Sequence, residues 1–392
     1  MSGYAERGYN KFIAGQIDLF YSIIKEEILP TLPAKYSFDM VYNFLTQYYP
    51  LEIRAFQFEL DGYTHQDKTL LKIKHHKRYF VKPIKDYFGC SKIANLLDEN
   101  YISKRAESIT EKECLNNKEI LIKKRESIIK NKLEKIKKAQ MNAQEIEPVF
   151  IDKMLGLYDR HSFTAEHQKN RVYILHELYK YDCPKITNFL HKQLNHEQNF
   201  QLREMMFKHL QDYGYLPKLK KKKAIPFNTK NKNKKKCIRE YRNFYFAIEG
   251  IPTELSYLIN NSQSQRIKTY DFFISHSYID HADVQKIIIG LNKERKNVYC
   301  DWISDQDYLK RSLLCDATIK VINKRIEQSN CILLVDTPNS RSSIWVAYEL
   351  KYAKNIGKPI YSVSIDMPLT LSGIKELKDE WYKQINTDNL IY

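Results

Sequence analysis

The 392-residue sequence lacks the features that mark membrane and secreted proteins. It begins with MSGYAERGYNKF, which alternates polar and apolar residues and has neither the basic start nor the apolar core of a signal peptide. No uninterrupted apolar run approaches the roughly 20 residues that a membrane-spanning helix needs. We therefore expect a cytoplasmic protein without a membrane contact.

Recognisable cysteine and glycine motifs are also missing. The seven cysteines are an odd number, are widely spaced and form no CxxC pair, which argues against a disulfide framework or a zinc finger. Several occur in apolar runs, so we expect buried thiols. A histidine-containing basic patch, KIKHHKRY at 72–79, has no nearby cysteine or carboxylate to complete a ligand set, and we expect no metal. No GxGxxG follows a predicted strand, which excludes a Rossmann dehydrogenase.

Acidic residues are scarce relative to basic ones, and the formal net charge is +17. The segment from Lys218 to Arg239 contains eleven basic residues and no acidic one, whereas residues 268–392 carry 17 positive and 16 negative side chains. The excess charge is therefore local. We expect this segment to be a mobile linker, or alternatively a contact to nucleic acid or another polyanion made through phosphates, because aromatic residues for base stacking are scarce.

Helical patterns dominate the first half of the sequence. Residues 1–100 combine helical spacing with many aromatic residues, and 106–147 contains no proline or glycine and predicts a long helix. In that helix, apolar residues recur every seven positions, at Leu115, Ile122, Ile129 and Ile136. We expect this stripe to pack on a neighbouring element, with a dimerising coiled coil as the alternative.

Shorter helices follow Pro148, at 170–181, 184–194 and 200–213. The segment FQLREMMFKHLQDYG resembles the second helix of a HEAT-type repeat, although a simple helical bundle would give the same spacing. Residues 260–265 (NNSQSQ) predict a polar hinge. We therefore divide the chain into a helical sensor or assembly region at 1–216, a basic linker with a connecting helix at 217–267, and a third part at 268–392.

In this third part, strands alternate with helices. Residues 270–275 (YDFFIS) form an apolar run rich in aromatic residues, as expected of a buried strand, and Asp280 is a candidate N-cap for the following helix. Further strands are predicted at 298–302, 331–335 and 359–363. This alternation indicates βαβ units and a parallel sheet, in which ligands bind beyond the carboxyl ends of the strands.

Three segments of the third part, YDFFISHS (270–277), SIWVAYE (343–349) and GKPIYSV (357–363), resemble a bacterial TIR (Toll/interleukin-1 receptor) domain. The resemblance covers about residues 268–392 and implies a flavodoxin-like fold. The predicted fold class is therefore α + α/β, with an all-helical N-terminal region followed by a C-terminal TIR domain with a parallel sheet.

The resemblance also implies a function, because many bacterial TIR domains cleave NAD at the nicotinamide glycosidic bond. We expect an NAD glycohydrolase that acts in anti-phage defence and gives linear or cyclic ADP-ribose, with NAD as substrate and no cofactor. The family's catalytic glutamate maps onto Glu349. One carboxylate suits this reaction, because it can stabilise an oxocarbenium-like transition state while nicotinamide leaves without a general acid. Alternatively, Glu349 is a helix-surface residue paired with Lys351.

Candidate substrate-binding residues follow the predicted strands: Ser275, His276, Ser277, Asp301, Trp302, Arg311 and Trp345. The resemblance favours a nucleotide contact over catalysis for His276, and a core position is the alternative for Trp345. Arg311 could offset a phosphate charge or pair with Asp305 or Asp307.

Residues 303–312 correspond to the loop that reaches a neighbouring subunit in TIR assemblies, which predicts a homo-oligomer. The loop lacks the glycine and proline of receptor TIR domains. Three other functions stay open at this point: a non-catalytic TIR interaction module, a nucleoside deoxyribosyltransferase-like enzyme, and a nucleic-acid-binding regulator that rests on Lys218–Arg239 alone. A partner protein or a nucleic acid is a candidate trigger, acting through the helical region or through Lys218–Arg239.

Overall fold

A computed structural model describes residues 2–159, 162–215, 217, 229–310, 315–365 and 373–377. The chain divides into two compact units, Met1–Ile136 with Gly214–Leu216, and Lys137–Tyr213 with Pro217–Tyr392. The predicted three-part division follows composition rather than packing and stays a prediction. Within the described ranges, no helix combines the length and the apolarity needed to cross a bilayer.

The described part of the first unit is helical and has an aromatic core. Phe20, Phe56 and Phe88 meet edge to face or tilted, and each is at most 2% exposed. Such rings bury large apolar areas, which explains the high aromatic content of this region. A π-helical turn, Ile23–Ile28, follows the first helix. The α-helices are α1 Ser2–Ser22, α2 Phe38–Tyr48, α3 Pro50–Lys74, α4 Ile84–Phe88, α5 Ser91–Ala94, α6 Glu99–Ala106 and α7 Glu111–Met141.

Helix α7 confirms the predicted long helix. Its buried side chains include Cys114, Leu121 and Ile136, whereas Leu115 is 62% exposed. The predicted stripe is therefore wrong at its first position, because a helix with 3.6 residues per turn drifts away from a strict seven-residue repeat. The coiled-coil alternative stays a prediction.

The second unit begins with further helices, as predicted. Helix α10 has proline in its first turn, where no backbone N–H is needed, and Asn199 caps α11 by accepting a hydrogen bond from the Leu202 N–H. The resemblance to a HEAT-type repeat stays a prediction. These helices are α8 Ile151–Tyr158, α9 Ala165–Leu178, α10 Pro184–Leu194, α11 Phe200–Asp212, α12 Lys232–Tyr241, α13 Pro252–Asn261 and α14 Gln263–Arg266.

Helix α12 corrects the expected mobile linker. Residues 218–228 of that segment lie outside the described residues, but Lys232 to Arg239 are helical. Ile238 and Tyr241 are buried on one face, while Lys234 and Lys236 are exposed on the other. Two apolar anchors are therefore enough to order this basic stretch. Binding of a polyanion stays a prediction.

A five-stranded sheet forms the rest of the second unit, in the order β2-β1-β3-β4-β5. The first four strands are parallel and β5 is an antiparallel edge strand. The strands are β1 Tyr270–Ser275, β2 Val298–Tyr299, β3 Ser329–Asp336, β4 Ile360–Ser364 and β5 Lys375–Glu376. The accompanying helices are α15 His281–Lys293, α16 Asp301–Ser304, α17 Asp316–Gln328, α18 Pro338–Arg341 and α19 Ile344–Asn355.

Strand β1 has the predicted bounds, but two neighbouring predictions are wrong. The strand predicted at 298–302 ends at Tyr299, because Asp301 begins α16. Asp280 does precede α15, yet its carboxylate makes no capping bond to that helix. Instead it accepts hydrogen bonds from Thr337 and Asn339, which follow β3. Its carboxylate therefore links the carboxyl ends of β1 and β3.

The predicted hinge at 260–265 is also wrong. Helices α13 and α14 occupy most of it, and Gln265 is 1% exposed. The Gln265 amide donates to Glu177 on α9 and accepts from Arg325 on α17, at 2.9 and 2.8 Å. A side chain held on both sides in this way fixes the backbone rather than allowing it to bend.

Buried ion pairs extend this contact between α9 and the sheet region. Glu177 lies 2.9 Å from the Lys180 ammonium and 2.5 Å from that of Lys268. Asp305 lies 2.8 Å from Arg325 and 3.7 Å from Lys180. We call these five residues the α9 ion network. Each is at most 6% exposed, so the two carboxylates and three cations neutralise one another largely without bulk water and leave one positive charge in excess.

Candidate active site

Glu349 belongs to helix α19 and lies beside the carboxyl end of strand β1. The strand order reverses direction at β1, and in a parallel sheet such a reversal opens a crevice beyond the strand ends. Helix α19 begins after Ser343, whose hydroxyl accepts from the Val346 N–H. Glu349 lies near the middle of this helix, and the Ser275 hydroxyl at the end of β1 donates to its carboxylate at 2.6 Å. Ser275 is fully buried. The last residue of the first strand thus fixes the orientation of the candidate catalytic group.

The carboxyl group of Glu349 has an unusual charge environment. Burial raises its pKa to about 8, while the hydrogen bond from Ser275 opposes this shift and the charge of Asp301 adds to it. Among the described residues, no lysine, arginine or histidine forms an ion pair with Glu349, so the alternative of a surface pair with Lys351 is not formed. A pKa of about 8 favours the protonated carboxyl at neutral pH.

A second group of polar side chains lies beside this carboxyl group. His276 follows β1, and Cys300 and Asp301 follow β2. The His276 Nε2 atom is 4.0 Å from Cys300 Sγ and 3.7 Å from Asp301 Oδ1. One ligand atom from each of the three residues lies within 4.8 Å of the others. The fold therefore assembles a candidate metal-ligand set that the sequence analysis did not identify.

The remaining candidate residues are distributed around the crevice. Ser277 is half-buried and its carbonyl accepts from the Asp280 N–H. Trp302 packs on the α15 side of the sheet, and its indole N–H has no acceptor among the residues that the structure describes. Trp345 packs on the opposite side and meets Tyr348 edge to face, which favours the core alternative. The remaining candidate, Arg311, lies outside the described residues.

The loop that begins at Ile303 is mostly enclosed by its own chain. Ile303, Asp305 and Tyr308 are each at most 1% exposed. Asp305 pairs with Arg325, and Asp307 lies 2.8 Å from His176, so both carboxylates have partners other than Arg311. These buried residues cannot reach a neighbouring subunit in this arrangement, which leaves exposed loop positions such as Gln306 and Lys310 for such a contact.

Sequence reasoning missed several polar residues at this edge of the sheet. Cys300 was expected only as a buried thiol, and the bonds from Thr337 and Asn339 to Asp280 were not foreseen. Arg341 likewise forms a two-pronged pair with Asp336, at 2.7 and 2.8 Å. All of them follow a strand or cap the turn after it. Their position just after a parallel strand is therefore the sequence signal that could have identified these polar residues.

Comparison with known proteins agrees with this architecture. The family model for "Thoeris protein ThsB, TIR-like domain" matches residues 273–369. The putative cyclic ADP-D-ribose synthase TIR2 of Cytobacillus dafuensis is 35% identical over 369 residues, which cover 93% of each chain. The probable 3' cyclic ADP-D-ribose synthase ThsB' of Bacillus cereus (strain MSX-D12) is 29% identical over 93 residues, 24% of this chain and 48% of that one. No solved structure matches significantly.

The TIR prediction rested on the last third of the sequence, whereas the match to the Cytobacillus protein extends across the helical region as well. The fold class is confirmed by the parallel sheet and by the helices before it. The chain belongs to the family of TIR-domain proteins that includes Cytobacillus dafuensis TIR2.

Proposed function

We propose that this protein cleaves NAD at the nicotinamide glycosidic bond and acts as an effector in anti-phage defence. The observation that carries the proposal is the position of Glu349, a carboxyl group at the crevice with a raised pKa and no ion pair among the described residues. The names of both relatives support it, because each is described as a cyclic ADP-D-ribose synthase.

The chemistry suits a single acidic side chain. The nicotinamide ring of NAD is cationic, so its approach favours the ionised form of Glu349 and lowers the raised pKa. When the bond between C1′ of the ribose and the ring nitrogen breaks, the electron pair stays with nicotinamide, which leaves as a neutral molecule. The positive charge moves to the ribose, where the carboxylate stabilises it in a site shielded from water. Ser275 holds the carboxylate in position.

The fate of the ribosyl cation decides the product. Attack by water gives linear ADP-ribose, whereas attack by a nucleophilic atom of the same ADP-ribose gives a cyclic product. We propose the cyclic product, because both relatives carry that name. This choice refines the expected glycohydrolase activity to a cyclase that makes little linear product.

Chromatography of NAD incubated with the full chain tests this function. We expect equal amounts of nicotinamide and a cyclic ADP-ribose to appear, identified by mass and by comparison with standards. Linear ADP-ribose as the main product would contradict the cyclase assignment but leave NAD cleavage intact. Absence of nicotinamide at every protein concentration would contradict the function itself.

We propose further that cleavage depends on self-association, as the resemblance to TIR assemblies implies. The specific activity should then rise with protein concentration, and it should rise together with the mass measured by light scattering. The substitution Lys310→Glu, at an exposed position of the loop after α16, should shift this rise to higher concentration. A rate strictly proportional to enzyme in a protein that remains monomeric would refute the dependence.

A further inference from the structure

His276, Cys300 and Asp301 form a compact set of three metal ligands of different chemistry. Imidazole nitrogen, thiol sulfur and carboxylate oxygen all lie within 4.8 Å of one another. The pairing of β1 with β2 produces this arrangement, because it places Phe272 opposite Val298 and Phe273 opposite Tyr299. The residues that follow the two parallel strands therefore meet at the same edge.

The orientation of the His276 ring suits metal binding. Its Nδ1 atom lies 3.2 Å from the Ile274 carbonyl oxygen. If Nδ1–H donates there, Nε2 carries the lone pair, and Nε2 is the nitrogen that faces Cys300 and Asp301. Metal-binding histidines commonly have their second nitrogen held by a carbonyl or carboxylate in this way. The orientation of the ring therefore presents Nε2 to Cys300 and Asp301, as metal binding requires.

The donor set and its size favour zinc. Zinc bonds are about 2.3 Å to sulfur and about 2.0–2.1 Å to nitrogen, so two ligands in tetrahedral geometry are separated by roughly 3.3–3.6 Å. The separations from Nε2 to Sγ and to Oδ1 are 4.0 and 3.7 Å, so His276 must approach each of the other two ligands by a few tenths of an ångström. The ligand atoms of Cys300 and Asp301 lie within 4.8 Å of each other and must approach by up to about 1.3 Å. The side chain of Asp301 is 52% exposed, which gives an ion a route into the site.

We propose that His276, Cys300 and Asp301 bind a zinc ion that blocks the neighbouring active site. Because Asp301 is close enough to influence the charge of Glu349, a divalent cation bound to it places positive charge beside the crevice. That charge repels the cationic ring of NAD. Inhibition, unlike binding itself, rests on the proposed function.

Cobalt provides a direct test of binding, since a thiolate ligand gives an intense near-ultraviolet charge-transfer band and a tetrahedral site gives visible bands. We expect the full chain, first freed of metal with a chelator, to show both bands at one cobalt per chain and to lose them when zinc is added. Cys300→Ala should abolish the charge-transfer band, whereas Cys237→Ser and Cys315→Ser, at exposed cysteines, should leave it unchanged.

A second variant covers the case in which the buried Cys300→Ala substitution impairs folding. Asp301→Asn changes an exposed side chain and should weaken cobalt affinity by at least about tenfold to a hundredfold. Absence of stoichiometric binding, or a charge-transfer band that survives loss of Cys300 in a folded variant, would overturn the site.

The inhibitory role is measured separately with NAD. Zinc at one equivalent should suppress nicotinamide release by the wild-type protein, a chelator should restore it, and the Cys300→Ala variant should be resistant. Stoichiometric cobalt binding together with unchanged NAD cleavage at saturating zinc would overturn the inhibitory role. A protein that binds cobalt but never cleaves NAD would instead contradict the proposed function and leave the metal site standing.

Discussion

Two glutamates of the second unit, one buried and one partly buried, have opposite surroundings. Glu177, in the α9 ion network, is 1% exposed and contacts the ammonium groups of Lys180 and Lys268. Glu349, at the end of β1, accepts a hydrogen bond from Ser275 and has no ion pair among the described residues. Burial alone would raise both pKa values. The lysine charges outweigh burial at Glu177 and hold its pKa well below the usual range, whereas the pKa of Glu349 rises to about 8.

The difference shows how neighbouring charges assign a role to a buried carboxyl group. The carboxylate of Glu177 is already paired with two lysines of its own chain. The residue therefore stabilises the fold and is not available to bind a cationic ligand. In the part of the chain that the structure describes, the ionised form of Glu349 has no such partner, and a cation that enters the crevice would supply one. A raised pKa in a cleft is a common property of functional residues, and here it distinguishes two residues of the same type.

The largest effect is expected from Glu177→Gln, which removes the carboxylate paired with Lys268 and leaves Lys180 with only the more distant Asp305. Removing one partner of a buried ion pair costs about 3–5 kcal/mol, and the free energy of unfolding should fall by about that amount. Urea unfolding followed by circular dichroism measures it. Glu166→Gln, at an exposed position of the same helix, is the control and should stay within about 0.5 kcal/mol of the wild type. Equal stability of the two variants would mean that the network contributes nothing.

Glu177→Gln is expected to reduce stability, whereas Glu349→Gln should cause a large loss of activity and no loss of stability. Loss of this transition-state stabilisation corresponds to about 3–4 kcal/mol, or about 10²–10³ in the rate of nicotinamide release. The amide keeps the shape of the side chain and cannot ionise, so the free energy of unfolding at neutral pH should be equal or higher. Glu327→Gln on α17, whose carboxylate pairs with Lys324 at 2.8 Å, should retain the wild-type rate. Wild-type turnover in Glu349→Gln would remove the basis of the site assignment.

The dependence on pH should also separate the two glutamates. With a chelator present, kcat/KM for NAD should rise with pH and level off above about 8, because the free enzyme must ionise Glu349. The stability that the protonated Glu349 contributes is fully present below its ordinary pKa of 4.5 and is lost as the pH rises through about 8. Glu177 acts in the opposite direction, since its lowered pKa gives stability that is present above 4.5 and is lost as the pH falls below it.

Urea unfolding between about pH 2 and 9 measures this dependence. Glu349→Gln should remove the decline in stability toward high pH, while the loss in acid remains. If the wild type and the variant showed the same profile, the carboxyl group would not have a raised pKa.

The smallest effect is expected from Ser275→Ala, which removes the hydrogen bond that lowers the pKa of Glu349. Such a bond to a charged acceptor contributes about 1.5 kcal/mol, and a pKa change of one unit corresponds to about 1.36 kcal/mol. The midpoint of the activity profile should therefore move up by about one pH unit. Ser342→Ala, at the exposed end of α18, should leave the midpoint in place. A lower rate with an unshifted midpoint would mean that Ser275 only orients the carboxylate.

The sequence predicted those parts of the fold that depend on local pattern. The apolar run of β1 predicted its bounds, and Pro184 and Asn199 mark the starts of two helices as expected. Glu349 could be identified because a short motif resembled a known family. The shortened β2 was missed, because a hydrophobic Trp302 continued the strand pattern while Asp301 already began a helix.

The α9 ion network could not be predicted in the same way. Its five charged residues lie at positions 177, 180, 268, 305 and 325, so no local pattern connects them. In the sequence, Asp305 belongs to a polar loop, and Arg325 belongs to an ordinary amphipathic helix. Their burial is a property of the tertiary structure alone. The ligand set of Cys300 and His276 was missed for the same reason, since strand pairing rather than sequence spacing brings the two together.

The α9 ion network also determines how much of the chain a fragment containing this TIR domain must include. A fragment that began at Lys268 would keep Asp305 and Arg325 but would lose Glu177, the carboxylate that lies beside the Lys268 ammonium. The Lys268 side chain, which is 1% exposed in the full chain, would then need another carboxylate or contact with water. The packed unit is therefore larger than the sheet, and a fragment that keeps these ion pairs must include α9.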